Sequence, residues 1–496
     1  MARPWVFPVA LDPTSSAPLF LQIARAITAD IRRGRLRPAA VLPGSRTLAR
    51  NLGVHRNTVL ASYRDLQDAG WVISTQRSLR VSEALPRQER PAPRPREKAR
   101  PGFEFAAVHL EADLDAPRAG VRSGRGAIVH VGGLPDPRLV PVIWLARAFR
   151  RALRSKGALE YAHRYGDPSL RRALAAILLE ARGIDCNEDD ILVTGGSQMG
   201  IDLVARALVR PGDVVAVEDP GYPPAWDALR LAGAELAPVA VDEGGLRTDA
   251  LEALAKKKPL RAIYTTPHHQ FPTTVTMSPA RRLALLAFAR ARGVAIVEDD
   301  YDFEFHYAGR PIWPLASSDE AGVVIYVGTL SKVLAPGMRL GFVTGTRPVV
   351  DTLAARQSRI ARGNPALERA IAELFEDGLL QRHARKMRRV YESRRDLLAA
   401  LLRQKLGGVV SFAVPAGGMS LWLAVDPELD VELWADRALA RGISFSTGRT
   451  FDFRHRVRPT LRLGYSGLDE RELHEMVRQM AGALESSSNP RSRRGR

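Results

Sequence analysis

The sequence predicts an α/β fold with a mainly parallel central sheet, preceded by a small N-terminal winged helix-turn-helix. From residue 127 onward, helical segments alternate with short β-branched runs: ILVTG, DVVAVE, RAIYTTP, VAIVEDDY, VVIYVG and RLGFVTG. That alternation is how a wound sheet reads in sequence. Near the N-terminus, two short amphipathic helices are joined by a glycine-containing turn. The charge is also uneven. Residues 1–100 hold 18 Lys and Arg against 7 Asp and Glu, and residues 491–496 add four arginines, within a net +19 for the whole chain.

A chain of 496 residues exceeds what one core supports, so a large domain and at least one small one are expected. Apolar content of 45% is ordinary for globular proteins, and no uninterrupted apolar run is long enough to span a bilayer. The start, MARPWVFPVALDP, is broken by prolines and has no apolar h-region, so it is not read as a signal peptide. Cys186 is the sole cysteine, which excludes an internal disulfide framework and a Cys-cluster metal site. A cytoplasmic protein is the expectation. A basic end on a near-neutral body suggests a polyanion-binding module attached to something else; free use of Arg by a high-GC genome is the bland alternative.

Residues 1–83 are read as the small module. Leu21, Ala24, Ile27 and Ile31 recur at helical spacing, and Gly34 supplies a C-cap. A short helix follows with Ser45 as N-cap and Leu48 and Leu52 on one face, ended by Gly53. The next helix turns Val59, Tyr63 and Leu66 inward and closes at Gly70. Its exposed start carries His55, Arg56, Asn57 and Thr58, where a recognition helix places base-reading and phosphate-binding groups. WVIST and LRVS then read as two strands around Gln76, Arg77 and Ser78, a basic wing. With Arg46 and Tyr63, these residues make the candidate DNA-binding set: Arg46, His55, Arg56, Asn57, Thr58, Tyr63 and Arg77. Residues 84–126 are Pro- and Arg-rich without apolar periodicity, a semi-extended linker. Residues 127–485 form the large domain, and 486–496 a basic disordered tail.

In the large domain the ligand site belongs beyond the carboxyl ends of the strands. The stretch 323–344, VVIYVGTLSKVLAPGMRLGFVT, reads as strand, loop, strand. Its loop sets Lys332 among Thr329, Ser331 and Arg339. A lysine beside apolar walls and a second cation can have its pKa lowered, which frees the amine to attack an aldehyde. The hydroxyls and guanidinium are what a phosphate needs. An aldehyde and a phosphate on one small ring describe pyridoxal 5′-phosphate (PLP).

Four other strand ends support that reading. Thr194–Gly200, TGGSQMG, is a glycine turn opening a helix, a ready anion site. It does not have the G-x-G-x-x-G spacing of a dinucleotide fold. Tyr222 follows the Glu218–Gly221 turn and could stack on a flat heterocycle, or simply fill the core. The segment TPHHQFPT carries His268 and His269. Neighbouring side chains on an extended segment point apart, and no acidic or Cys ligand sits at matching spacing. No metal site is expected, and His269 is read as a hydrogen-bonding group toward a ring hydroxyl. The run AIVEDDYDFE takes a strand into three acids, which need partners. A protonated pyridine nitrogen is one such partner; Mg²⁺ is the rival.

The first module resembles the winged helix-turn-helix of the GntR superfamily through PLFLQI, LPGSRTLARNLGVHRNTV and ASYRDLQDAGW. The large domain resembles the fold-type I aminotransferases through GGLPDP, GGSQMGIDL, EDPGY, HQFPT, EDDYDFEF, GTLSKVLAPGMRLG, AGGMSLW and LRLGYS. The two together are similar to the MocR-type regulators. The resemblance implies a mainly parallel sheet with a smaller C-terminal α+β subdomain. It also implies Lys332 as the internal-aldimine lysine, Asp299 on the ring nitrogen, Tyr301 on the ring hydroxyl and Tyr222 over the ring face. Ser197, Gln198, Thr329, Ser331 and Arg339 would surround the phosphate, and Tyr161 would reach in from the other subunit. Arg462 would grip an effector carboxylate. The implied protein is a homodimer that binds double-stranded operator half-sites and senses an amine, amino acid or B6 vitamer; with no membrane-spanning run in the sequence, no membrane partner is expected. A catalytically competent aminotransferase with an accessory DNA-binding domain is the alternative.

Overall fold

A computed structural model describes residues 17–32, 34–75 and 78–83, with Leu11, Asp12 and Ser15, and then residues 132–309 and 312–485. The segments read as linker (84–126) and basic tail (486–496), and Arg77, read as part of a basic wing, lie outside the described residues. The chain divides into two compact units, Met1–Ala107 and Val108–Arg496.

In the first unit, helices α1 (Leu19–Arg32), α2 (Ser45–Leu52) and α3 (Arg56–Asp68) precede strands β1 (Val72–Ser74) and β2 (Leu79–Val81). Ile23, Ala24 and Ile27 from α1, Leu48 from α2, and Val59 and Leu66 from α3 close one core with Val72 and Val81. Strands β1 and β2 pair antiparallel, Val72 opposite Val81 and Ser74 opposite Leu79. Residues 39–42, unmarked in the sequence pattern, lie along β2: Ala39 N donates to Val81 O at 3.0 Å and Leu42 N to Leu79 O at 2.8 Å.

Two expectations for this unit are corrected. Gly44, not Ser45, occupies the N-cap of α2 and gives no side-chain cap; Ser45 is the first helical residue, and its Oγ accepts from Arg56 Nε at 3.2 Å. Tyr63 does not face DNA. It is 6% exposed, and its hydroxyl donates to the Pro43 carbonyl at 2.7 Å, so the same helical spacing that turns Val59 inward carries Tyr63 with it.

The second unit is built on an eight-stranded sheet. Its strands are β3 (Ile191–Thr194), β4 (Val214–Asp219), β5 (Glu235–Asp242), β6 (Gly245–Leu246), β7 (Leu260–Thr265), β8 (Ala295–Asp300), β9 (Val324–Thr329) and β10 (Gly341–Thr344). They lie in the order β3-β10-β9-β8-β7-β4-β5-β6. The run β5-β4-β7-β8-β9 is parallel, while β10 is antiparallel to both β9 and β3. All six expected strands are present. Strands β5 and β6 were not read from sequence, since ELAPVAVD carries a proline and a two-residue strand carries no pattern.

Alternate residues of each strand serve opposite faces, and both faces are apolar. Val215, Val217, Val297 and Val327 enter one core, whereas Ala216, Ile263, Ile296 and Val324 enter the other. Among the covering helices are α4 (Val142–Ala152), α5 (Pro168–Arg182), α6 (Ser197–Leu208), α7 (Pro223–Leu231), α8 (Thr248–Ala255), α9 (Pro279–Arg292), α10 (Arg347–Ile360) and α11 (Pro365–Glu376). The long α12 (Leu379–Leu406) leads to an antiparallel sheet ordered β11-β12-β14-β13. Its members are β11 (Val410–Ser411), β12 (Ser420–Val425), β13 (Ser446–Thr447) and β14 (Thr460–Gly464), backed by α13 (Val431–Ala440) and α14 (Glu470–Glu485). Tyr391, Trp434, Leu461 and Met480 centre that separate core. No helix of the described residues is long and apolar enough to cross a membrane.

The Tyr63 correction is testable. Tyr63→Phe removes one part-buried hydrogen bond, so the N-terminal unit should lose about 1 kcal/mol in denaturant titration without a change in the salt dependence of DNA binding. Removal of a phosphate-binding group would instead lower that salt slope by about one.

Candidate functional site

The carboxyl ends of the parallel strands converge on one cavity, with an open volume of about 820 Å³ counted out to its mouth. The register explains the convergence. Gly341 opens β10 directly opposite Thr329 at the end of β9 and Thr194 at the end of β3. Arg339 and Lys332 therefore reach the same edge as the glycine turn after β3. A side chain at position 341 would put its Cβ 2.7 Å from the Ser197 backbone nitrogen, so only glycine lets these segments meet.

One end of the cavity suits an anion. Gly196 (φ 97°) is the N-cap of α6 and Ser197 its first residue, which leaves backbone N–H groups and the positive end of the helix dipole facing the cavity. Arg339, held in the left-handed region at φ 46°, brings its guanidinium carbon to 3.5 Å from where a Cβ on Gly196 would sit. Ser331 and Thr329 complete this end, the Ser331 N–H donating to Thr329 Oγ1 at 3.1 Å. Gln198 also lines the cavity; its amide nitrogen is tied to the Pro224 carbonyl at 2.9 Å.

At the middle lies Asp299, 4% exposed. Its Oδ2 accepts the Tyr264 hydroxyl at 2.6 Å, and its Oδ1 has no partner among the described residues. Burial pushes its pKa up to about 7, against the pull of the Tyr264 hydrogen bond and the Lys332 charge. A cationic N–H placed at Oδ1 would relieve that cost. The neighbouring acids go elsewhere. Glu298 accepts the Leu315 and Ala316 N–H groups at 2.8 and 2.9 Å, and Asp300 accepts the Tyr326 hydroxyl at 2.6 Å. Separate partners for three consecutive acids do not make a Mg²⁺ cage.

Lys332 Nζ donates to the Gly133 carbonyl at 2.9 Å. Tyr222 and Phe271 stand edge to face across 4.9 Å. Arg462, 4% exposed on β14, sets its guanidinium 4.3 Å from the Phe271 ring centre. Gly132 and Gly133 permit that approach; a Cβ on Gly132 would lie 2.5 Å from an Arg462 terminal nitrogen. Tyr301 also lines the cavity, its hydroxyl donating to the His269 carbonyl at 2.8 Å.

Two expected residues stand apart, and one assumption fails. His269 is not among the cavity-lining residues. Its Nδ1 pairs with Asp302 Oδ1 at 2.7 Å, so its backbone, not its ring, serves the site. Nor do His268 and His269 diverge. The chain bends here and their ring centres lie 4.5 Å apart, so a strand's alternation does not apply. Tyr161 is 90% exposed, with Arg362 over its ring at 5.8 Å. Sequence reading gave no site role to Tyr264, nor to Thr266, Phe271 and the Gly132–Leu134 strap, although the segments TPHHQFPT and GGLPDP were marked. Of these, Tyr264 was accessible, because strand alternation places it on the same face as Asp299.

A buried knot positions the loop after β7. Glu218 accepts Thr265 Oγ1 at 2.6 Å, Thr266 Oγ1 at 2.8 Å and Gln270 Nε2 at 3.1 Å. Burial raises its pKa and these donors work against the rise. On the N-terminal unit, His55, Arg56 and Asn57 are exposed at the start of α3, Thr58 is half-buried, and Arg46 is exposed on α2. His55 also caps α3, its Nδ1 accepting the Asn57 N–H at 3.2 Å.

A primary amine, a buried acid with one bare oxygen, and an anion cradle opposite an aromatic wall are complementary to PLP, and the class is that of the fold-type I PLP proteins. Residues 131–480 match the family model of aminotransferase class I and II, and residues 19–78 that of the gntR family of bacterial regulatory proteins. The chain belongs to the class I and II aminotransferase family, in the MocR-type branch that carries a GntR winged helix. It is 31% identical over 486 residues to the probable rhizopine catabolism regulatory protein MocR of Rhizobium meliloti, covering 97% of each chain. With the HTH-type transcriptional regulator TauR of Rhodobacter capsulatus it shares 32% identity over 488 residues, 96% of this chain and 98% of that one. Among solved structures, it is similar to LysN, the α-aminoadipate aminotransferase of Thermus thermophilus, complexed with N-(5′-phosphopyridoxyl)-L-leucine. That match has a TM-score of 0.68 and 32% identity over 73% of this chain and 93% of that one. The protein is a PLP-dependent, DNA-binding transcriptional regulator.

Asp299→Asn keeps the shape but cannot offer an anionic oxygen to the ring nitrogen. Loss of one charge-assisted hydrogen bond should weaken PLP retention about ten- to a hundredfold, read by absorbance after equilibrium dialysis.

Proposed function

We propose that the regulator senses an amino acid, another primary amine or a B6 vitamer in the cavity of its large domain and acts as a homodimer on paired operator half-sites. The observation that carries this is the shared cavity. Lys332 and Arg462 both line it beside Asp299, so one ligand can meet an amine-exchanging group and a carboxylate-gripping fork together. When bound, PLP supplies an aldehyde that condenses with primary amines and a ring that withdraws electrons. The chain's own residues do the rest. Asp299 would hold the ring proton, Tyr222 and Phe271 would wall the ring off from water, Tyr301 would bond the ring hydroxyl, and Ser197, Gln198, Thr329, Ser331 and Arg339 would hold the phosphate. An effector that engages Lys332 and Arg462 unequally in two conformations would shift their populations.

Homodimerisation is supported by exposed apolar side chains on the second unit, two of which, Tyr161 and Ile360, line one surface pocket. Leu159 is 83% exposed, Tyr161 90% and Ile360 67%, which is costly for a lone subunit and fits an isologous contact. In that reading Tyr161 completes the partner's cofactor site, residues 84–126 tether the DNA-binding module, and the dimer works in the cytoplasm, where chromosomal DNA is.

A gel shift on the protein's own upstream DNA, titrated with PLP, amines and amino acids, tests the proposal. Specific binding should respond to at least one of these and lose that response in Lys332→Ala. Replacing Arg56 and Asn57 with Ala should lower specific affinity by about 1–3 kcal/mol for each base-reading side chain removed, with PLP absorbance intact. Multiple-turnover keto-acid release without specific DNA binding would make it an enzyme instead. Arg462→Ala should weaken the response to carboxylate-bearing effectors at least tenfold, by loss of a bidentate charge pair. An unchanged response would mean a ligand without a carboxylate.

A further inference from the structure

Three histidines meet outside the cofactor cavity. His268 and His269 follow β7, and His306 follows β8. The ring centre of His306 lies 6.0 Å from that of His268 and 6.1 Å from that of His269. One ligand nitrogen from each comes within 4.8 Å of the others. His268 and His269 are 2% and 1% exposed, and His306 is half-buried. Among the described residues, both ring nitrogens of His268, Nε2 of His269 and Nδ1 of His306 have no hydrogen-bond partner.

Four bare imidazole nitrogens in one buried place are costly, because polar atoms removed from water are nearly always paired. A shared proton cannot satisfy three rings. A cation taking one lone pair from each pairs three of the four, and leaves the second nitrogen of His268 as a ring N–H. The carboxylate behind them is placed for this: Asp302 Oδ1 holds His269 Nδ1 at 2.7 Å, which directs the remaining lone pair to Nε2. Ligating histidines usually carry such a carboxylate on the other nitrogen. The nearby guanidinium of Arg282 is committed to the Met277, Trp313 and Pro267 carbonyls at 3.0, 2.9 and 2.7 Å.

We infer that His268, His269 and His306 form a binding site for a divalent transition-metal cation, with zinc as its chemical type. Three neutral nitrogens with no oxygen donor suit zinc or cobalt and not magnesium or calcium. Zinc–nitrogen bonds of about 2.0–2.1 Å require the rings to close by roughly an ångström from this arrangement. The cation would brace the loop whose His269 carbonyl accepts the Tyr301 hydroxyl, and so the wall of the cofactor cavity. The inference rests on the three side chains and stands whether or not the effector reading does.

Untagged, full-length, PLP-loaded protein would be stripped with EDTA and dialysed against zinc chloride, then against cobalt chloride, with metal analysis and visible absorbance. The expected result is one zinc per chain and a cobalt ligand-field band. His268→Ser and His306→Gln should each lower zinc affinity more than a hundredfold while keeping the PLP absorbance, which reports a folded domain. Asp302→Asn should lower it about ten- to a hundredfold. Wild-type protein that takes up no stoichiometric zinc overturns the inference, as does either histidine variant that keeps both PLP and wild-type zinc affinity. If both variants misfold, wild-type stoichiometry and the cobalt band decide the question.

Discussion

A carboxylate removed from water with one oxygen bonded and the other bare is expensive, by several kcal/mol for an ion without a partner. Asp299 is in that position, its Oδ2 on the Tyr264 hydroxyl and its Oδ1 without a partner among the described residues. The sheet creates the situation and cannot avoid it. Tyr264 pairs with Val297 across β7 and β8, so its hydroxyl reaches the carboxylate two residues further along the same face. A cationic N–H set against Oδ1 would offset that cost.

The rest of the site follows from how parallel strands end. Each of β3, β4, β7, β8 and β9 releases its chain at the same edge, and each release carries a different chemical group: the glycine turn, Tyr222, the Phe271 loop, Asp299 and the lysine loop. Strand β10, running the other way, starts where the others stop and so delivers Arg339. Arg462 arrives from β14 of the antiparallel sheet, across the Gly132–Gly133 strap. The cavity is thus assembled from segments that span more than three hundred positions of sequence, and no local propensity could have placed them together.

Much of this was legible. The six β-branched runs became strands because a sheet buried on both faces needs continuous apolar sequence. That Lys332, Tyr222 and Arg339 would lie at one edge was legible because strand ends are where such a sheet binds ligands, whereas the choice of Asp299 among its acidic neighbours and of Ser197 within its turn rested on the family resemblance; all five line the cavity. The misreadings share one cause. Ser45 looked like a cap and His269 like a hydrogen-bonding group for a ring hydroxyl, and Tyr63, although its spacing turned it inward, was also counted with the DNA-binding residues, each from residue type and neighbourhood alone. What displaced them was a partner set elsewhere: the glycine before Ser45, the carbonyl of Pro43, the carboxylate of Asp302. Strands β5 and β6 were missed because a proline and a two-residue length leave no periodicity to read.

The amino-acid pattern by itself determined six strands of the large sheet, the helices of the N-terminal module, the two-module organisation and the kinds of residue at the strand ends, because periodicity, glycine placement and charge act over a few residues. Only the tertiary structure decided which atoms are left without partners. That His268 and His269 turn together toward His306, and that one oxygen of Asp299 stays bare, depends on bends and registers linking distant strands. Hydrogen-bond satisfaction belongs to the folded whole, and a linear reading cannot count it.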